Sequence, residues 1–220
     1  MEGSPARSRN SQDGLLPTVT VRSFAAIDQQ LAAVPPGIAA LLASIAASSA
    51  LRADTMVADE SSGVAAKALA AAGRGPLSVR TILQAHGTLL GGGGSSIPVD
   101  AQAAMGLNEL VARYELAVSQ QRHPRLLLVS ALTLDFATLR PFRECNEEMM
   151  RLLVVRELLR DGHDRVCVTA FERRFDEAAA EREGALLASQ AGWERFEHAV
   201  WPWAEYVLRL LVSAYREVER

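Results

Sequence analysis

Chemically capable side chains crowd together between positions 140 and 151, where the chain reads Arg140, Glu144, Cys145, Asn146, Glu147, Glu148 and Arg151. Carboxylates within reach of one another hold a proton more tightly than isolated ones. Glu144, Glu147 and Glu148 are therefore candidates for acid/base work or for binding an amine, with Arg140 as a further catalytic candidate beside them. Asn146, Arg151 and Cys145 are the candidate ligand contacts. A blander account uses the same residues. Acidic side chains in a first helical turn complement the helix dipole, and Glu147 with Arg151 has the (i, i+4) spacing of a surface ion pair. A cysteine at a helix N-terminus gains thiolate character, but neighbouring carboxylates oppose that.

The elements that must position this cluster are helical by pattern. Arg125 to Leu139 is an apolar run that stops before Pro141, and Cys145 to Asp161 is apolar after its first turn, which predicts the central and most buried helix. Before them, the spacing predicts helices over Val21–Val34, Gly37–Ala53, Ser61–Ala72 and Leu77–Leu90. A long helix is expected from Pro98 to Gln121. After them come Val166–Ala191 and Trp193–Glu217. Eight or nine helices in one all-α domain is the reading, with residues 1–20 as a flexible tail and 21–220 as the folded domain.

The segment from Phe136 to Arg151, reading FATLRPFRECNEEMMR, resembles the signature of the Fic/Doc family, F-x-x-I-H-P-F-x-[DE]-G-N-G-R-x-x-R. Phe136, Leu139 (for Ile), Pro141, Phe142, Glu144, Asn146 and Arg151 match in register. Ser48 to Ala53 is similar to the family's autoinhibitory motif S-S-x-I-E-G, and the helix carrying His86 to the one that follows it. Thr169 to Trp203 is similar to the family's helical C-terminal end. The resemblance implies a Fic-like helical bundle built around the motif helix. The family's β-hairpin flap is reduced or absent, since Gly91–Gly94 and Ser95–Pro98 fill its place.

The departures bear on chemistry. The family's signature histidine takes a proton from a target hydroxyl that attacks the α-phosphate of ATP. Arg140 stands there, and a guanidinium has no lone pair to accept a proton. Cys145 and Glu147 replace the glycines whose backbone N–H groups would wrap phosphate, and Glu148 replaces a phosphate-holding arginine. A like charge at ~4 Å costs about 4 kcal/mol at an effective dielectric near ~20. ATP and Mg²⁺ are therefore expected to bind poorly, with no metal held, although Glu144 matches the family's Mg²⁺ carboxylate. Arg52 takes the place of the family's inhibitory glutamate, so a reciprocal pairing of Arg52 with Glu147 or Glu148 is expected. Two functions stay open. One is a site rebuilt for a small molecule around the carboxylates; the other is a catalytically silent protein acting on a partner protein.

Composition narrows the rest. A net charge of −3 with dispersed Lys and Arg excludes a nucleic-acid surface, and no apolar run is long enough to span a membrane. Cys145 and Cys167 make no disulfide framework, and no leader is evident, so a cytoplasmic location is expected. His86, His123, His163 and His198 lack metal-ligand spacing. His86 reads as a core histidine and the others as surface or loop residues. The aromatic stripe Trp193, Phe196, Trp201, Trp203 and Tyr206 reads as core or as the face of a homodimer.

Overall fold

The computed structural model describes residues 22–52, 64–92 and 96–220. The expected N-terminal tail falls outside them, as do residues 53–63 and 93–95. Every regular element among the described residues is a helix, and none is long and apolar enough to cross a membrane. In chain order these are α1 (Arg22–Ala25), α2 (Ile27–Gln30), α3 (Pro36–Arg52), α4 (Val64–Ala72), α5 (Val79–Leu89) and α6 (Ala101–Gln120). There follow α7 (Arg125–Leu139), α8 (Asn146–Arg160), α9 (Arg165–Glu177), α10 (Ala179–Gln190), a 3-10 turn (Trp193–Arg195) and α11 (Trp201–Val218).

α7 and α8 together form the centre. α8 is buried from Met149 to Leu159 except at Arg151, as its apolar run predicts. α7 is buried without a break from Leu126 to Phe136, so the expectation that α8 alone is the most buried helix is corrected. α7 packs on α1, α6, α8, α10 and α11, whereas α8 packs on α4, α5, α7 and α9. An all-round apolar helix must carry its polar groups internally. Ser130 and Thr133 do so by bonding back to the carbonyls of Leu126 (2.9 Å) and Val129 (2.8 Å). Thr133 also accepts the indole N–H of Trp203 at 2.9 Å, which locks α11 onto α7.

Four helix assignments differ from the periodicity. The one helix expected over Val21–Val34 is two short ones, α1 and α2, parted at Ala26 and ending at Gln30. Pro98 lies ahead of α6, which Asp100 starts by accepting the Ala103 N–H at 2.7 Å. The run expected as one helix over Val166–Ala191 breaks at Ala178. The guanidinium of Arg182 takes the Phe175 carbonyl, which an unbroken helix would offer to the N–H of residue 179. The aromatic C-terminal stretch is interrupted before α11 by left-handed residues at Gly192 and Phe196. A Cβ on Gly192 would meet Glu197 at 2.9 Å, and its φ of +76° also favours glycine. The stripe divides accordingly: Trp203 and Tyr206 are core, while Phe196 lies exposed beneath the Arg22 guanidinium at 4.1 Å. His163 and His198 lie in loops, one of the two placements expected, but are buried rather than at the surface. His163 bonds the Tyr215 hydroxyl at 2.6 Å, and Gln30 lies 2.7 Å from His198.

Candidate functional site

The loop between α7 and α8 is gripped by its own ends. Arg140 closes α7 with φ of 43°, and Cys145 opens α8 with φ of 55°, both left-handed. Such a conformation costs an L-residue roughly 1–2 kcal/mol. Asn146 repays part of this by folding back on the loop. Its Oδ1 accepts the Phe142 N–H at 3.1 Å and its Nδ2 donates to the Phe142 carbonyl at 2.6 Å. Phe142 is buried, in contact with Phe136 and stacked on His86 at 3.8 Å between ring centres. The His86 Nε2–H donates to the Glu144 carbonyl at 3.1 Å, since a carbonyl only accepts, and the Ser96 hydroxyl meets Nδ1 at 2.7 Å. His86 is thus a core histidine, as its position on an apolar face predicts. The Val99 N–H donates to the Pro141 carbonyl at 2.8 Å. The short connection into α6 therefore braces the loop from outside.

The acidic side chains of the helix start go separate ways. Glu147 is in an ion pair with Arg182 of α10, whose guanidinium also stacks over Phe175 at 4.8 Å. Arg151 turns from Glu147 and pairs with Asp176 of α9 at 2.6 Å, so the (i, i+4) pair is not formed. Glu148 and Arg151 line a crevice with Leu69, Leu89, Leu152, Val155 and Glu172. Its volume is about 10 Å³, room for one water at most. Glu144 and Arg140 are exposed, and no hydrogen bond or ion pair engages their side chains among the described residues.

Electrostatics weaken the one nucleophile. Burial pushes the Cys145 thiol above its ordinary pKa, and the charges of Glu148 and Glu144 push in the same direction. The helix N-terminus does not prevail over them. Burial also raises the Glu172 carboxyl, with Asp176 adding to it and Arg151 and Arg165 opposing.

Arg52 ends α3, and its side chain lies outside the described residues. The backbone nevertheless places that end. Ser49 hydrogen-bonds Tyr215, whose hydroxyl meets His163 just beyond the last turn of α8. Glu148 stands at the other end of a 15-residue helix, roughly 20 Å away at 1.5 Å per residue. The expected approach of Arg52 to Glu147 or Glu148 gains no support from this arrangement.

Sequence reasoning missed Arg182, Glu172 and Asp176 because they lie on later helices with no spacing signal to the motif. It also passed over the far end of α8. There Glu157 is fully buried and receives the Tyr114 hydroxyl at 2.5 Å, the Arg156 guanidinium, Arg160 at 3.3 Å and Arg125 at 3.5 Å. Arg156 reaches on to the carbonyls of Ala72 (3.1 Å) and Gly75 (2.5 Å), tying down the end of α4. An Arg-Glu pair inside an otherwise apolar helical run was the signal available. No cluster of metal-ligating side chains occurs among the described residues. No protein-family model matches the chain, and no curated protein matches it either.

Proposed function

We propose that this chain is a Fic-like helical protein that does not transfer AMP and that acts through contacts with another protein. The observation that carries this reading is the self-occupied motif loop. Its Pro141 and Glu144 carbonyls are taken by Val99 and His86, its Phe142 backbone is clasped by Asn146, and Glu147 is held by Arg182. ATP·Mg²⁺ does not fit these residues. Arg151, the cation kept from the signature, is bound to Asp176, and side chains at Cys145 and Glu147 stand where a phosphate would need bare backbone. Arg140 offers no base. What the loop presents outward is Arg140, Arg143 and Glu144 beside the exposed Ile97, a mixed polar and apolar surface of the kind protein partners use.

A second reading has its own support. Glu148 shares its crevice with Glu172, whose carboxyl is raised by burial, so a proton held there could serve a small molecule if the crevice opened. Calorimetry with ATP·Mg²⁺ and transfer of radiolabel from ATP test the first reading. Binding weaker than ~100 μM, equivalent to about 5.5 kcal/mol, and no labelled protein are expected. Tighter binding or label on any protein sinks it. A thermal-shift screen of small metabolites on the wild type and Glu148→Gln separates the two readings. A stabilising compound lost in the variant favours the crevice.

A further inference from the structure

A groove of about 520 Å³ lies where α9, α10 and α11 meet, on side chains other than those of the motif loop, and Tyr206, Arg174, Arg209, Glu177, Glu181 and Ala178 line it. That volume falls in the range of small-ligand sites. We propose that this groove binds a small zwitterion of the amino-acid class, its carboxylate toward Tyr206 and the start of α10 and its ammonium on Glu177.

Several groups there lack the partners that buried or dipolar groups require. The Tyr206 residue is 3% exposed, and its hydroxyl is buried with no acceptor for its proton. Arg182 donates to the hydroxyl oxygen, but an arginine cannot accept, so the phenolic O–H still lacks an acceptor. Buried polar groups left in this way are rare and call for an acceptor. α10 starts at Ala178, whose side chain cannot cap it. The N–H groups of Ala179, Ala180 and Glu181 have no bonded acceptor among the described residues. A hydroxyl donor, a helix start and the Arg209 guanidinium all ask for an anion. Arg174 is already bound to Glu217 at 2.7 Å, whereas Arg209 makes only long contacts, 3.6 Å to Glu181 and 4.0 Å to Glu205.

The other half of the groove is acidic. Glu177 has no ion pair among the described residues, and Glu181 is held only by that long contact. Arg174 and Arg209 balance Glu177 and Glu181 in charge, so a simple anion would gain from one side and be repelled by the other. A molecule carrying both signs gains from both. Leu210 and Ala178 supply apolar surface for its remainder.

The test is two-dimensional NMR of the full ¹⁵N-labelled chain titrated with each of the common amino acids. At least one should shift the amides of Ala178 to Glu181 in a saturable way. The matching amine and the matching carboxylic acid should each bind at least tenfold more weakly. Tyr206→Phe should weaken the amino acid about tenfold. Glu177→Gln, an exposed substitution that leaves folding intact, should weaken the amino acid while leaving the matching acid unchanged. No shift from any amino acid at ~10 mM overturns the proposal. So does undiminished binding in both variants, or a Tyr206→Phe protein that gains thermal stability without any ligand effect, which would mean the hydroxyl is merely buried. Because the motif loop takes no part, these outcomes stand apart from those of the nucleotide experiment.

Discussion

The two ends of α8 carry similar letters and have opposite fates. At its start, Glu147 and Glu148 are exposed, and Glu147 finds its arginine thirty-five positions away on another helix. At its end, Glu157 is fully enclosed by Tyr114, Arg156, Arg160 and Arg125, and Glu115 joins them by binding Arg160 at 2.6 and 3.0 Å. Burial works against the charge on Glu115, but Arg160 and the Leu77 N–H outweigh it and bring its pKa down. The comparison teaches where charge in this molecule is structural. A carboxylate taken out of water here is surrounded by donors, whereas the residues that resemble a catalytic motif are left largely to solvent.

The largest effect expected from this contrast is at Glu157. Removing one partner from a buried ionic network leaves uncompensated charge, so Glu157→Ala should cost about 3–5 kcal/mol of unfolding free energy in urea. A loss below ~1 kcal/mol would mean that the enclosed end is no more structural than the open one.

Asp135 sharpens the contrast from another side. It is 2% exposed but has no cation, and it is held by the Ser23 N–H at 3.1 Å and the Phe24 N–H at 3.4 Å, where α1 docks on α7. Burial raises its carboxyl from 3.8 to about 7, against the bonds from Ser23 and Phe24 that lower it. A folded pKa above the unfolded one means that the folded state binds the proton more tightly. Stability from this group is therefore full below pH 3.8 and lost as pH rises to about 7. Between pH 5 and pH 8 the loss should be about 2–3 kcal/mol, at about 1.4 kcal/mol per pH unit. Urea unfolding at the two pH values measures it, and Asp135→Asn should flatten the dependence. An unchanged slope in the variant would place the titration elsewhere.

Cys145→Gly should raise stability by about 0.5–1 kcal/mol, because the left-handed strain it relieves exceeds the flexibility glycine adds to the unfolded chain. A destabilised variant would show that the Cys145 side chain contributes packing that its half-buried position does not suggest. The smallest effect belongs to Arg52 and Glu148. With their backbones at opposite ends of α8, Arg52→Glu and Glu148→Arg should be additive within ~0.5 kcal/mol in a double-mutant cycle. A coupling beyond that would restore an organised charge exchange and favour the rebuilt-site reading.

Much of this was legible before any fold was known. The apolar runs of α7 and α8 announce buried helices, and Pro141 marks the break between them. Helix ends were less legible. The break at Ala178 depends on Arg182 capturing the Phe175 carbonyl, and the true start of α6 depends on the Asp100 cap rather than on Pro98. The motif residues were legible as a cluster in sequence, but their pairing was not, since Arg182, Asp176 and Glu172 come from helices whose approach no local pattern encodes.

By itself the sequence determined an all-helical fold, a central helix over α8 and a charged start to that helix. Those follow from periodicity, proline stops and local polarity, which act over a few residues. Only the tertiary structure decided which charges are enclosed and which face water. Glu147, Glu148 and Glu157 lie on one helix with the same side-chain chemistry, and what separates them is the approach of α6 and α7 to Glu157. Enclosure in this molecule is a property of neighbours distant in the chain, so a carboxylate's role was fixed by what packed against it.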